Sequence, residues 1–257
     1  MKTVLITGCS SGFGLEIARH FLEHEWNVVA TMRTPDAGIL PPSDRLRVLA
    51  LDVTDGASIR LALEAAGPID ALVNNAGVGA LYPLEGIAMD TARGVFDTNT
   101  LGTIAMTQAV LPGLRATGGG VIVNVSSAVT LTPLPLLSVY TASKAAVNAF
   151  TESLALELEP LGIRLRLVLP GRAPETRFGA NARARMEGEM PEAYASLMES
   201  VVAGVRGPAP VTHAGDVVQA VWRAVTDPAA PMRIPAGADA EAMAAAQAGI
   251  PYGRAGL

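Results

Sequence analysis

Tyr140 and Lys144 stand four residues apart in an alanine-rich stretch, Val139 to Leu158, that reads as one long helix. At that spacing both side chains project from the same face. A phenol titrates near 10 in water, too high for a proton donor and acceptor at neutral pH. Bringing it near 7 takes about three pKa units, or roughly 4 kcal/mol. An ammonium about 4 Å away supplies about 1 kcal/mol in bulk water and about 4 kcal/mol at an effective dielectric near 20. The pair therefore does acid–base work only in a partly desolvated cleft, and on an exposed helix it is inert. Lysine occurs only at positions 2 and 144, and every other positive side chain is arginine. Position 144 is thus a place where a compact three-donor ammonium is not replaced by a planar guanidinium. Ser127 lies thirteen positions before Tyr140, just past a predicted strand, where its hydroxyl can donate to a reacting oxygen.

A second group of residues is built to hold an anion. Val4-Leu5-Ile6 reads as a buried strand and runs into Thr7-Gly8-Cys9-Ser10-Ser11-Gly12-Phe13-Gly14. Glycines at 8, 12 and 14 let the backbone turn tightly and approach a ligand, and the next helix aims free amides at it. That helix carries Gly14, Ile17, Ala18, Phe21 and Leu22 on one face. Cys9, the single cysteine, reads as a small residue filling the turn rather than a reactive thiol. The three histidines, 20, 24 and 213, have no metal-ligand spacing and read as solvated side chains, so no metal site is expected.

These residues need a scaffold, and the chain spells one out. Strands are predicted at Asn27–Met32, Arg45–Leu51, Ile69–Val73, Val121–Val125 and Arg164–Leu169, with a last short one over Met232–Pro235. Helices fall between them: one capped by Thr54-Asp55 that carries Ile59, Leu63 and Ala66, one region over about 89–117, and the long Tyr140 helix. Strands alternating with helices give an α/β fold: one doubly wound, Rossmann-type parallel sheet of about seven strands with helices on both faces. Residues 1–257 read as a single domain. Residues 171–213 break the rhythm with prolines and glycines, and Tyr194, Leu197, Met198, Val201, Val202 and Val205 recur at helical spacing inside them. That helix reads equally as an ordinary packing helix and as part of a lid over a pocket.

The turn spacing, Gly-x-x-x-Gly-x-Gly, resembles the short-chain dehydrogenase/reductase family. Further segments agree in order and separation: Asp52-Val53, Asn74-Asn75-Ala76-Gly77, Asn99 within Asp97–Gly102, Ser127, Tyr140-Thr141-Ala142-Ser143-Lys144, and Pro170-Gly171. The resemblance covers nearly the whole chain and points to the hydroxysteroid-dehydrogenase-like or carbonyl-reductase-like branch. It implies that Asn99, Ser127, Tyr140 and Lys144 act together, with Lys144 bridging the nicotinamide ribose and a water chain and Asn99 holding a water beside it. It implies a cofactor site made of Gly8, Ser10, Ser11, Gly12, Phe13, Gly14, Asp52, Val53, Asn75, Ala76, Gly77, Tyr140, Lys144, Pro170, Gly171 and Thr176. Thr176 sits about one residue later than the family's spacing. The implied reaction is reversible hydride transfer between nicotinamide and a carbonyl or alcohol carbon.

NAD-preferring members carry an acidic residue where Met32 stands; here no carboxylate is available and Arg33 follows, suited to a 2′-phosphate. The expected cofactor is NADP(H) in preference to NAD(H). The residues framing the pocket, Leu81, Tyr82, Val129, Leu131, Leu134, Leu136, Phe178 and Met186, are mainly apolar, so a hydrophobic ketone, aldehyde or alcohol is expected. Small residues at 142, 145, 146 and 149 suit close helix pairing, and the family implies a homodimer or homotetramer. A net charge of −5 without a dense basic patch gives no sign of nucleic acid. The brief apolar start and the lack of a spanning run lead to an expectation of a cytoplasmic protein with no membrane contact. Two rivals have different signatures. A catalytically silent dinucleotide sensor on this fold usually lacks the Tyr or Lys, and a nucleotide-sugar dehydratase or epimerase needs a larger polar C-terminal region.

Overall fold

The computed structural model describes residues 1–184, 191–207 and 209–248. Its centre is β1 (Thr3–Thr7), in which every residue is buried. A strand apolar on both faces belongs inside a parallel sheet covered on both sides. β2 (Asn27–Met32) and β3 (Leu46–Ala50) extend outward from β1 in one direction. The chain then returns, and β4 (Ala71–Asn74), β5 (Gly120–Val125), β6 (Ile163–Pro170) and β7 (Arg233–Ala236) extend in the other. All pairings are parallel, and the order is β3-β2-β1-β4-β5-β6-β7. The direction reverses between β1 and β4, so a crevice opens beyond their carboxyl ends, where such sheets bind ligands.

Alternation along the strands divides the core. Val4 and Ile6 face α1 (Gly12–Glu23) and α8 (Ala214–Thr226), while Leu5 and Leu72 face α2 (Gly56–Ala66) and α4 (Gly102–Ala116). α3 (Met89–Phe96) runs through a π-turn, Asp97–Leu101, into α4. α5 (Ser138–Leu158) lies against β6 and the π-turn, and α6 (Phe178–Ala184) and α7 (Ala195–Arg206) belong to the excursion after β6. α9 (Ala238–Ala248) follows β7.

Several sequence expectations change. β4 begins two residues later than expected and runs one residue further, taking in Asn74, so that the turn begins at Asn75. α8 and α9 were not anticipated, although Val217, Val218, Val221, Ala224 and Val225 already show a helical stripe. The lid stripe forms α7 with a short 3-10 turn, Glu192–Tyr194, before it. Met198, Val201 and Val202 are only half-buried there, and Leu197 is exposed. His20 is not freely solvated. Its ring stacks 4.0 Å from that of His24 and lies edge-on to Trp222 at 5.1 Å. Burial, together with the neighbouring His24, holds its pKa below the usual imidazole value. Met186 lies outside the described residues.

A buried polar chain crosses the middle of the sheet. Asn74 Nδ2 donates to Thr107 Oγ1 on α4 and to Asn124 Oδ1 on β5, at 3.2 and 2.9 Å. Asn124 Nδ2 donates to Thr151 Oγ1 on α5 at 2.8 Å. Each amide is matched, so burial is tolerated and both helices are held in register with the sheet. Asn124→Ala removes two of these bonds and leaves a cavity. It should cost about 2–3 kcal/mol, or roughly 5–10 °C in Tm, in a thermal melt followed by circular dichroism.

Candidate active site

The glycine-rich turn leaves β1 at the crevice, and the backbone there needs glycine. Gly8 and Gly12 have φ of 75° and 58°. A Cβ on Gly8 would come within 2.9 Å of the Ala76 Cα, and one on Gly14 would collide with the Gly8 carbonyl and meet Asn75 Nδ2 at 2.5 Å. Asn75 explains this crowding. Its amide donates to the carbonyls of Thr7 and Gly8 at 2.9 and 3.2 Å, and the Thr7 hydroxyl accepts the Asn75 and Ala76 amides. The turn after β4 is therefore stitched to the turn after β1. Ser11, the residue before α1, makes no side-chain cap, so the first-turn amides of Gly12, Phe13 and Gly14 are left pointing into the crevice. Cys9 is buried behind the turn, its thiol bonded to the Ile6 carbonyl at 3.3 Å and pushed up to about 12 by burial.

Asp52 and Val53 follow β3 on the same edge. Asp52 Oδ1 accepts from the Thr54 amide and hydroxyl at 2.9 and 2.7 Å. Those bonds, and more weakly the charge of Arg33, lower its pKa. Val53 is 8% exposed and packs against Gly102, where it leaves no room for a Cβ. Met32, the last residue of β2, is buried in the core, and Arg33 is the first exposed side chain after that strand. Ser10 is exposed as well.

The four residues singled out for acid–base chemistry are all buried: Asn99 at 0%, Lys144 at 4%, Tyr140 at 6% and Ser127 at 7% exposure. The two serines after β5 part as strand alternation requires. Ser126 turns into α5 and donates to Asn148 Oδ1 at 2.6 Å, while Ser127 Oγ accepts the Val129 amide at 3.3 Å and lies near enough to the Tyr140 phenol to pull its pKa down. Lys144 Nζ donates to the Val125 carbonyl at 2.9 Å. Asn99 lies in the π-turn, and its side chain is committed: Oδ1 accepts the Val78 amide at 2.8 Å, and Nδ2 donates to the Val78 carbonyl and Ser143 Oγ at 2.9 and 3.0 Å. It pins the loop after β4 to α5. Gly77 passes between them; a Cβ there would stand 3.3 Å from Asn99 Oδ1 and 3.4 Å from Lys144 Nζ.

Electrostatics differ from the sequence expectation at one point. The phenol is not drawn toward neutrality. Burial pushes Tyr140 up to about 12 against the pull of the Ser127 hydroxyl. Burial also brings Lys144 down to about 8. Desolvation dominates because both groups sit inside the protein, and the ammonium is turned to the Val125 carbonyl.

The excursion after β6 closes over these groups. Pro170 ends β6 and Gly171 follows. Thr176 bonds back to the Ala173 carbonyl at 2.9 Å, and its side chain lies 3.7 Å from where a Gly12 Cβ would be. Phe178 lies over Tyr140 with ring centroids 5.4 Å apart and also covers Gly79. Leu136, at a φ of 65°, accepts the Tyr82 amide at 2.9 Å, so the loops that carry these two residues meet. Leu81 and Val129 are half-buried, and Leu134 is 39% exposed. Leu131 instead packs into the core with Val147 and Leu167. Sequence reasoning missed Asn148, Phe178's contact with Tyr140, and the Thr7–Asn75 stitch. An asparagine four residues past Lys144 on the same face was the available signal for the first.

A family model described as short chain dehydrogenase matches residues 2–187. Human retinol dehydrogenase 8 is 42% identical over 181 residues, covering 66% of this chain and 58% of its own length. The match spans 55–64% of the length of the first curated relatives. Among solved structures, a short-chain dehydrogenase from Burkholderia cenocepacia in complex with NADP aligns with a TM-score of 0.76 at 27% identity, covering 97% of this chain and 95% of that one. A Burkholderia phymatum enzyme of the same family in complex with NAD aligns with a TM-score of 0.80 at 26% identity, covering 96% and 92%. With sheet order, glycine-rich turn and sequence all in agreement, the chain belongs to the short-chain dehydrogenase family.

Proposed function

We propose that this protein is an NADP(H)-dependent oxidoreductase that interconverts a hydrophobic ketone or aldehyde and its alcohol. The observation that carries the reading is the joint burial of Ser127, Tyr140 and Lys144, with Gly77 passing beside the Lys144 ammonium and the loop after β4 stitched to the glycine-rich turn. The crevice fits a dinucleotide. Glycines at 8, 12 and 14 leave a cradle that a Cβ would obstruct, and uncapped amides at the start of α1 suit a pyrophosphate. Solved neighbours that hold NADP or NAD support the same assignment. Ser10, Ser11, Gly12, Phe13, Asp52, Val53, Asn75, Ala76, Gly77, Pro170, Gly171 and Thr176 would line that site.

When bound, a reduced nicotinamide supplies hydride to the carbonyl carbon. The protein's part is to manage the oxygen. Ser127 donates a hydrogen bond to it, and Tyr140 gives it the phenolic proton. A phenol near 12 holds its proton at neutral pH, so it is in the donating form for reduction. Lys144, near 8, is an ammonium poised to return a proton toward the phenolate. Both Asn99 Nδ2 hydrogens are used and Oδ1 already accepts the Val78 amide, so a water beside Lys144 would be held by the Asn99 main-chain carbonyl, which also accepts the Thr103 hydroxyl. Phe178, Leu134 and Tyr82 give the substrate apolar walls. Arg33, exposed after β2 with Met32 buried beneath, suits a 2′-phosphate.

In an assay of NADPH absorbance against a panel of ketones, Tyr140→Phe should lower kcat by about 10²- to 10⁴-fold. In the same assay Arg33→Ala should raise the KM for NADPH about tenfold while leaving that for NADH unchanged. Equal turnover by Tyr140→Phe and wild type would remove the phenol from the chemistry. An unchanged ratio in Arg33→Ala would remove the cofactor preference.

Keeping Lys144 charged inside the protein, with its pKa at about 8 against an ordinary 10.5, costs about 3 kcal/mol at neutral pH. A depressed amine pKa imposes that penalty fully below the folded value and sheds it as pH rises toward the unfolded one. Lys144→Met should therefore be inactive yet more stable by about 2 kcal/mol at pH 7, after allowing for the lost bond to Val125. The gain should shrink between about pH 8 and 10.5 in urea titrations.

Ala142, Ala145 and Ala149 are exposed on α5, and Leu156 is 75% exposed on the same helix. We read this face as the contact with a second copy. Sedimentation equilibrium should give a dimer or tetramer that Ala145→Glu dissociates; a monomeric wild type would refute it.

A further inference from the structure

The family model stops at residue 187, and one built cluster lies mostly beyond it. Asp239, near the start of α9, is 8% exposed, and Thr212 is 1% exposed. Asp239 Oδ2 accepts the Arg172 amide at 2.6 Å, and Oδ1 accepts the Thr212 hydroxyl at 2.7 Å. Thr212 Oγ1 in turn accepts the Gly171 amide at 2.9 Å and also lies 2.8 Å from the Ala236 carbonyl. The Thr212 amide donates to the Arg172 carbonyl at 2.8 Å. One carboxylate thus ties together the residues where the chain leaves the sheet after β6 and the residue where it returns. Two glycines make the space: a Cβ on Gly171 would fall on the Asp239 carboxylate, and one on Gly237, with φ at 101°, would fall on the Thr212 hydroxyl.

Arg172 carries the tie outward. Its amide rests on Asp239, while its guanidinium donates to the carbonyls of Gly204, Gly207 and Ala209 at 3.0, 3.3 and 2.8 Å, at the open end of α7. A few residues on, Thr176 meets the glycine-rich turn and Phe178 covers Tyr140. We infer that Asp239 is a positioning residue: through Gly171, Arg172 and Thr212 it sets the base of the 171–212 excursion, and so sets how tightly dinucleotide and substrate are held without entering the chemical step. This rests on the oxidoreductase reading above.

The hydrogen-bond inventory separates geometry from charge. An asparagine at 239 can accept the Arg172 amide through Oδ1 and donate to Thr212 Oγ1, whose proton then goes to Ala236. An alanine can do neither. Asp239→Ala and Asp239→Asn should be compared by deuterium exchange and steady-state kinetics, together with Thr212→Val, which removes the hydroxyl at nearly constant shape. In the alanine and valine variants, exchange in fragments 171–178 and 209–213 should speed up tenfold or more while β1 is unaffected. The KM values for NADPH and ketone should rise about tenfold, with kcat within about threefold of wild type, a loss near 1.4 kcal/mol in binding. Asparagine should restore both readouts. Unchanged exchange at the two ends, a fall in kcat at constant KM, or an asparagine variant that behaves like alanine would overturn the assignment. If alanine does not fold, the valine and asparagine variants decide the matter alone. Wild-type protein that neither binds nor oxidises a dinucleotide would defeat the functional reading and the positioning role with it, even with the exchange pattern intact.

Discussion

A primary ammonium held at 4% exposure, with a single backbone carbonyl 2.9 Å away, is the demand around which the neighbouring structure is arranged. No carboxylate lies among its partners in the described residues, so the charge is met by the Val125 carbonyl dipole at the end of β5. An isolated buried cation is expensive, and its pKa falls in response. For it to stay in place, the helix that carries it must not move relative to the strand that receives it. The Asn74–Asn124–Thr151 chain and the Ser126–Asn148 bond tie β5 and the residue after it to α5, two turns and one turn past Lys144 along the helix. Asn99 fixes the adjoining loop from the other direction.

The crevice follows from topology and is sharpened by crowding. Reversal of strand order between β1 and β4 opens a gap at their carboxyl ends, and the Thr7–Asn75 stitch then brings the two turns together until only glycine fits at 8 and 14. The flexibility usually credited to glycine-rich turns is not what this arrangement displays. The glycines here permit close approach, and the turn they form is fixed by hydrogen bonds on its protein side.

Much of this was legible in the sequence. The strands are short, mainly apolar runs, several of them ended by Gly, Asn or Pro, and their alternation with helices left few topologies open. The Tyr140–Lys144 spacing, Ser127 and the glycine pattern located the site because each is a local signal. What escaped was set by tertiary contact. The sign of the Tyr140 shift depends on how deeply the phenol is buried, which no spacing reveals. Asn74 resembled a turn residue because asparagine favours turns, yet partners on α4 and β5 keep it inside a strand. α8 has a plain valine stripe, but it follows directly on a run of prolines and glycines that masks the start of a new helix.

The knot that joins residues 171, 172, 212 and 239 makes the intervening stretch a closed ring in all but covalent terms. Changing the circumference of such a ring carries a small entropic cost, about 0.6 kcal/mol for each doubling of length. Its contents are thus free to vary in size and shape while the sheet, the glycine cradle and the buried amine stay as they are. A lineage with this architecture can alter which molecules it admits by rewriting one segment, and inherit its reaction chemistry unchanged.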